Sequence, residues 1–350
     1  MNDRPTRHAL IKVTLAGVLA VTPCVQAQSS EGPGRADSWD TFVELTPESE
    51  RVIELCLEYL AAKQLPSGAW NSSFGPNAGV TSLALLAFLA TGHVPQQGKH
   101  ADLIDRGLNW ILGNVQPSGM IYYTQGASGG PMYEHALSTL LLSELYGMCD
   151  RPEIAPAIQA AVRVIINAQN DEGGWRYQPF SRDADISVTV MQVLALRGAQ
   201  HAGMQVPPET IRRAVAYVKR CQHREGGFAY QAGQGDPGYG RTGAGVTVLE
   251  VCGEYDSDEV QRGLAVLLGN IGRKKEQRDI HYALYYAAQA VYQAKDPRRW
   301  QEWFPPTRQE IIGMQAADGH FTSPYGTEYP TAMMVLALSI PYRYLPIYQR

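Results

Sequence analysis

Acids, bases and hydroxyls recur in this 350-residue sequence at the starts of apolar segments. In order they are Thr81 and Ser82, Glu134 and His135, Asp185 and Ser187, Arg241 and Thr242, Asp279 and His281, then Tyr329 and Thr331. Carboxylates beside imidazoles are the side chains that general acid–base chemistry uses. An arginine among them could clamp a carboxylate. The same residue types also begin helices: Asp and Thr are good N-caps, each contributing about 1 kcal/mol, and carboxylates favour the positive helix end. Capping does not account for Arg241 at a helix N-terminus, nor for two histidines at equivalent places. A functional pocket and a set of capping and packing residues both remain open on these grounds.

Bringing such scattered positions together requires a repeat, and one is present. A Gln is followed four residues later by Gly and six later by an aromatic in Gln64…Gly68-Ala-Trp70, Gln169…Gly173-Gly-Trp175, Gln222…Gly226-Gly-Phe228 and Gln315…Gly319-His-Phe321. An imperfect copy, Gln116-Pro-Ser-Gly119-Met-Ile-Tyr122, has its Gly one place early and Tyr122 in the aromatic slot. The Gln-to-Gln steps are 52, 53, 53 and 93 residues, so one further copy has lost its motif around Gly269–Gly272. Each of the six units reads as an amphipathic helix ending at the Gln, a Gly-rich turn, and a more apolar second helix. The second helices begin near Val80, Tyr133, Asp185, Arg241, Asp279 and Tyr329. Six hairpins with polar outer and apolar inner helices can close into a ring without capping repeats. The expectation is an all-α, α6/α6 toroid over residues 46–350, preceded by a flexible lead-in at 28–45.

The Gln…Gly-x-Trp turn resembles the QW motif of the squalene–hopene cyclase and protein-prenyltransferase β-subunit superfamily. Gly173-Gly-Trp-Arg-Tyr177 and the ending Pro341-Tyr-Arg-Tyr-Leu-Pro-Ile-Tyr-Gln-Arg350 are similar to exported bacterial proteins of the prenyltransferase and squalene-oxidase repeat class. The resemblance implies the toroid and a central cavity for a small or lipid-like, isoprenoid-type ligand. Asp183-Ala184-Asp185-Ile186 resembles the Asp-x-Asp-Asp acid motif of class II terpene cyclases, in which one Asp protonates a double bond in a water-free site. Ile186 in the fourth place leaves that motif incomplete. His281 resembles the histidine of the zinc prenyltransferases, but the preceding inner helix, opening Arg241-Thr-Gly-Ala-Gly, supplies neither of the other ligands. Neither a metal nor a cofactor is expected.

Catalytic candidates are therefore Asp185, Asp183, Glu134, His135, Asp279 and His281, and ligand-binding candidates are Arg241, Tyr282, Tyr285, Ser187 and Thr331. The same cast would suit a polysaccharide lyase or hydrolase, with carboxylates about 5–9 Å apart and Tyr122, Tyr123, Tyr177 and Tyr230 stacking on sugar. A third possibility is a non-catalytic ligand- or protein-binding scaffold. Nineteen Tyr against 7 Phe point to a pocket that tolerates polar groups. Val251-Cys-Gly-Glu-Tyr255 lacks the Gln of thioester proteins. Gly233–Gly240 has neither dinucleotide spacing nor a P-loop Lys.

Charge and composition close off other classes. A net charge of −4 gives no basic field for nucleic acid. Arg4, Arg7 and Lys12, the uncharged stretch Val13–Thr22 and Val25-Gln-Ala27 read as a secretory signal peptide cut after about Ala27, implying export. Cys24 follows a poor lipoprotein sequence. Cys56, Cys149, Cys221 and Cys252 are widely spaced and read as buried thiols, with a disulfide still open. No later segment reaches 18 consecutive apolar residues, so no transmembrane span is expected.

Overall fold

The computed structural model describes residues 44–126, 130–271 and 279–349. The signal peptide, Cys24 and nearly all of the 28–45 lead-in lie outside the described residues, as does Gly272. Twelve helices occur among the described residues: α1 (Pro47–Lys63), α2 (Ala78–Ala90), α3 (Ala101–Gly113), α4 (Pro131–Leu145), α5 (Ile154–Ala168), α6 (Ile186–His201), α7 (Pro208–Arg220), α8 (Tyr239–Val251), α9 (Asp258–Gly269), α10 (Ile280–Gln293), α11 (Pro297–Met314) and α12 (Glu328–Ser339). A two-residue-per-strand hairpin, β1 (Asn71–Ser72) and β2 (Gly75–Pro76), precedes α2.

The even-numbered helices are enclosed on nearly every face: all 13 residues of α2 and 14 of the 15 in α4 are buried. The odd-numbered helices bury one stripe, such as Leu103, Ile104, Leu108 and Ile111 of α3, and turn polar residues outward. The inner helices pack in sequence from α2 through α12, and α12 returns to α2. The ring is closed, an α6/α6 toroid, because each apolar helix has an apolar neighbour on both sides.

The Gly-aromatic turns staple the ring. Gln64 Nε2 donates to Gly68 O (3.0 Å) within its own turn and to Leu103 O (2.9 Å) on the next outer helix. Gln169, Gln222 and Gln315 do the same toward Thr210, Glu259 and Val52, and the last of these joins the sixth hairpin to the first. The turn glycines sit at φ near +90°, and a Cβ on Gly68, Gly173 or Gly319 would overlap a carbonyl of the neighbouring outer helix. The aromatic N–H donates to a threonine hydroxyl four residues into the following inner helix: Trp70 to Thr81, Trp175 to Thr189, Phe228 to Thr242 and Phe321 to Thr331, at 2.9–3.2 Å.

The second turn obeys the same rule one residue earlier than the sequence spacing suggested. Gln116 N donates to Met120 O as Leu65 N does to Ala69 O, so Val115 holds the glutamine place. Buried Ile121, not half-buried Tyr122, holds the aromatic place, and its N–H donates to His135 Nδ1 at 3.0 Å. Cys56, Cys149, Cys221 and Cys252 are all free thiols. No helix of the described residues is long and apolar enough to cross a membrane.

Candidate functional site

The N-terminal ends of the inner helices surround a cavity of about 720 Å³. Helical geometry decides which residues reach it. Counting from the residue that caps each inner helix, the second, third and sixth positions face the cavity on α2 (Gly79, Val80, Leu83) and the second and sixth on α6 (Ser187, Met191). On α4, capped by Gly130, the facing positions fall one residue later (Tyr133, Glu134, Leu137). Leu83, Leu137 and Met191, a turn further along their helices, give it aliphatic depth. Tyr133, Tyr177, Tyr230, Tyr282 and Tyr329 supply aromatic walls, and exposed Phe74 and Tyr325 stand at its edge.

Of the sequence candidates, Glu134, Ser187, Arg241, Asp279 and Tyr282 meet at this cavity. Glu134 Oε2 accepts from Ala78 N (2.9 Å) and Tyr123 N (3.2 Å), fixing the start of α2 and the end of the second turn. Its other oxygen is enclosed without a hydrogen-bond partner. Asp279 caps α10, with Oδ1 accepting from Tyr282 N (3.1 Å) and Oδ2 from the Tyr329 hydroxyl (2.9 Å). Arg241 Nη2 donates to Asp236 O at 3.1 Å.

The remaining candidates lie elsewhere. Asp185 is fully buried as the N-cap of α6 and is not part of the cavity lining. Its Oδ1 accepts from Val188 N (2.9 Å) and its Oδ2 faces Arg176 Nη1 (3.3 Å). Burial outweighs these partners and a Tyr230 hydrogen bond, pushing the carboxyl up to about 6. Asp183 is half exposed and pairs with Arg176 Nε at 3.3 Å. His135 is spent on the second turn, its Nε2 facing Ala161 O at 3.2 Å, and burial lowers its pKa to about 4. His281 lies edge-on to Phe321 and 3.9 Å from Asp279, and burial lowers its pKa. Tyr285 is enclosed toward the far end, beside Tyr348, and Thr331 serves the sixth turn. Among the described residues no cluster of three or more potential metal ligands occurs.

Sequence reasoning passed over two residues. Tyr133, beside Glu134, could have been found from its spacing to Leu137. Arg176 had no such signal. It lies over the Tyr177 and Tyr230 rings (4.8 and 5.4 Å to the centroids), and the two tyrosine hydroxyls hydrogen-bond to each other. Arg176 thereby couples the buried Asp185 to the cavity wall.

No family model matches the chain. A drimenyl diphosphate synthase of Streptomyces showdoensis is 24% identical over 179 residues, 51% of this chain and 32% of that protein, so the match spans about a third of the relative's length. Among solved structures, the type II terpene cyclase MstE from Scytonema covers 85% of this chain and 99% of its own, at 13% identity and a TM-score of 0.62. An inactive variant of the α-1,6-mannanase GH76A of Salegentibacter sp., in complex with α-1,6-mannotriose, covers 83% and 98% at 9% identity and 0.62. Cellobiose 2-epimerase from Bacillus thermoamylovorans covers 83% and 98% at 13% identity and 0.61. The chain is a terpene cyclase-like α/α toroid, a fold it has in common with these sugar-acting enzymes.

Proposed function

We propose that this terpene cyclase-like toroid is exported and holds a small isoprenoid-like molecule in the cavity at its inner-helix N-termini, as a diverged member of the cyclase group. The carrying observation is the division of the cavity into aliphatic depth (Leu83, Leu137, Met191) and a tyrosine wall, a lining suited to a branched hydrocarbon body. Tyrosine faces also stabilise positive charge. Asp185, enclosed behind Tyr177 and Tyr230, is withdrawn from direct protonation of such a ligand, which favours binding over cyclisation started by this residue. The carbohydrate alternative asks for free carboxylates. Of the two carboxylates in the lining, Asp279 spends both oxygens on the start of α10 and on Tyr329, so that only Glu134, through Oε1, keeps an unpartnered oxygen.

Calorimetric titration with farnesol and geranylgeraniol, against mannotriose and cellobiose, tests the reading. The isoprenoid alcohols are expected to bind, and Ser187→Trp, which fills the cavity, is expected to weaken them at least about tenfold. Binding of a sugar without binding of either alcohol overturns it. Export is tested by N-terminal sequencing of the protein recovered from outside the cytoplasm.

A further inference from the structure

A second cavity, of about 260 Å³, opens where α4 and α6 end. Ser143, Glu144, Tyr146 and Met148 line it from the end of α4, His201 from the end of α6, and Pro346 from the C-terminal segment. It has no lining residue in common with the central cavity at the inner-helix N-termini.

Two features give this end a negative character. A helix C-terminus carries a partial charge of about −0.5, and two of them stand beside the cavity. Glu144, almost wholly buried, adds a carboxyl group to the same wall. One of its oxygens accepts from the Ile347 N–H, while Oε2 is enclosed without a hydrogen-bond partner. The basic groups nearby do not answer it. Arg197 is outside the lining and has Nη1 held by Gln200 Oε1 at 2.7 Å. His201 is kept neutral by burial and by Arg197, which leaves its ring an acceptor as well.

We infer that this far cavity binds a small primary ammonium ion, with its N–H groups on the Glu144 carboxylate and its short alkyl body against Tyr146, Met148 and Pro346. Its three donors suit a site made of acceptors, and its charge suits two helix C-termini. The inference is independent of the isoprenoid reading, which concerns the other end of the toroid. Without a cation beside it, burial keeps the Glu144 carboxyl protonated up to about pH 8. When the ammonium arrives, the carboxyl O–H bond breaks, the proton leaves to solvent and the carboxylate pairs with the cation. Tyr285 of α10 and Tyr348 of the C-terminal segment face Glu144 and keep their protons throughout this range. His201 has none to give, so the released proton comes from Glu144.

The experiment titrates the protein calorimetrically with n-butylammonium chloride between pH 6 and 8, in two buffers of different ionisation heat. The controls are n-butanol, which has the chain without the charge, and tetramethylammonium, which has the charge without an N–H, at matched ionic strength. Butylammonium is expected to bind at least about tenfold tighter than either. Its affinity is expected to climb by nearly tenfold per pH unit from 6 toward 8, with close to one proton released per ion bound at pH 7. Glu144→Gln, which keeps an acceptor for the Ile347 N–H, is expected to abolish the preference and the release. Butylammonium binding that persists in this variant places the ion elsewhere, for instance at Glu134 of the central cavity, and overturns the inference. Equal affinity for butylammonium and butanol, or binding of neither, overturns it too. Should the variant fail to fold, proton release by the parent protein decides. An ordinary carboxylate is already ionised at pH 7 and has no proton to release, so release supports the inference and its absence overturns it.

Discussion

Arg176 Nη1 lies 3.3 Å from Asp185 Oδ2, and through this pair the tyrosine wall of the cavity is tied to the start of α6. Asp185 is fully buried, and burial raises its carboxyl from 3.8 to about 6 even with Arg176 beside it. A carboxyl raised above its unfolded value costs stability as pH climbs through that interval, and Arg176 limits the cost above it. Arg176→Gln is therefore expected to lose about 1 kcal/mol at pH 7.5, a figure discounted for the 23% exposure of the arginine. The loss should shrink below about pH 5, where Asp185 is protonated in both proteins. Urea unfolding at pH 7.5 and 4.5 measures it, and an equal loss at both values refutes the pairing.

His135 stands where four other turns use threonine, and it must be neutral to accept from Ile121 N. Burial depresses its pKa from 6.5 to about 4. Between those values the unfolded chain binds the proton more readily, so the histidine's contribution is complete above pH 6.5 and is lost as pH falls toward 4, about 3 kcal/mol in all. His135→Thr is expected to cost about 1–2 kcal/mol at pH 7 through the void it leaves. That deficit should narrow or reverse by pH 4.5. Urea midpoints compared across this range would run parallel if the imidazole were not the titrating group.

How much of this was legible in the sequence follows from what each signal encodes. The ring was legible because the Gln-Gly-aromatic spacing is dictated locally: the Gln must reach its own turn's carbonyl and the next outer helix at once. The register of the second turn was not, because Gln116 sits beside Val115, the true occupant of that place, and His135 has replaced the hydroxyl partner. Glu134, Ser187, Arg241, Asp279 and Tyr282 were legible as a cavity set because inner-helix starts converge in a toroid. Asp185, His135 and His281 were not separable from them. A difference of one or two residues turns a side chain by 100–200° on a helix, and only the packed structure says which face is inward.

Gly173 and Gly147 have nearly the same backbone conformation, φ +92° and +89°, and opposite surroundings. A Cβ on Gly147 would meet nothing within 4 Å, whereas one on Gly173 would overlap the Arg213 carbonyl of α7. Gly147→Ala is expected to cost only the left-handed backbone strain, about 1–2 kcal/mol. Gly173→Ala must also push the turn off α7, loosening the 2.9 Å bond from Gln169 to Thr210 O, and is expected to cost about 3 kcal/mol or more. Chemical denaturation of the two variants distinguishes these outcomes, and equal losses would mean the turns do not staple the ring.

At the far end of the toroid Glu144 is 2% exposed, with Oε2 enclosed and unpartnered, beside a smaller cavity of about 260 Å³ that His201 and Pro346 also line. Burial pushes its carboxyl up to about 8, only partly offset by a hydrogen bond from the Ile347 backbone in the closing C-terminal segment. The folded state thus holds a proton that the unfolded chain releases near pH 4.5, and stability falls as pH rises from there to about 8. Glu144→Gln keeps the side chain's shape and an acceptor for Ile347 while removing the proton requirement. Its advantage over the parent is expected to grow by about 2–4 kcal/mol between pH 5 and pH 8. Urea unfolding at pH 5, 6.5 and 8 reads that growth. A gap that stays constant with pH would place the ionised carboxylate in the folded core at neutral pH, with a donor or cation supplied from the smaller cavity.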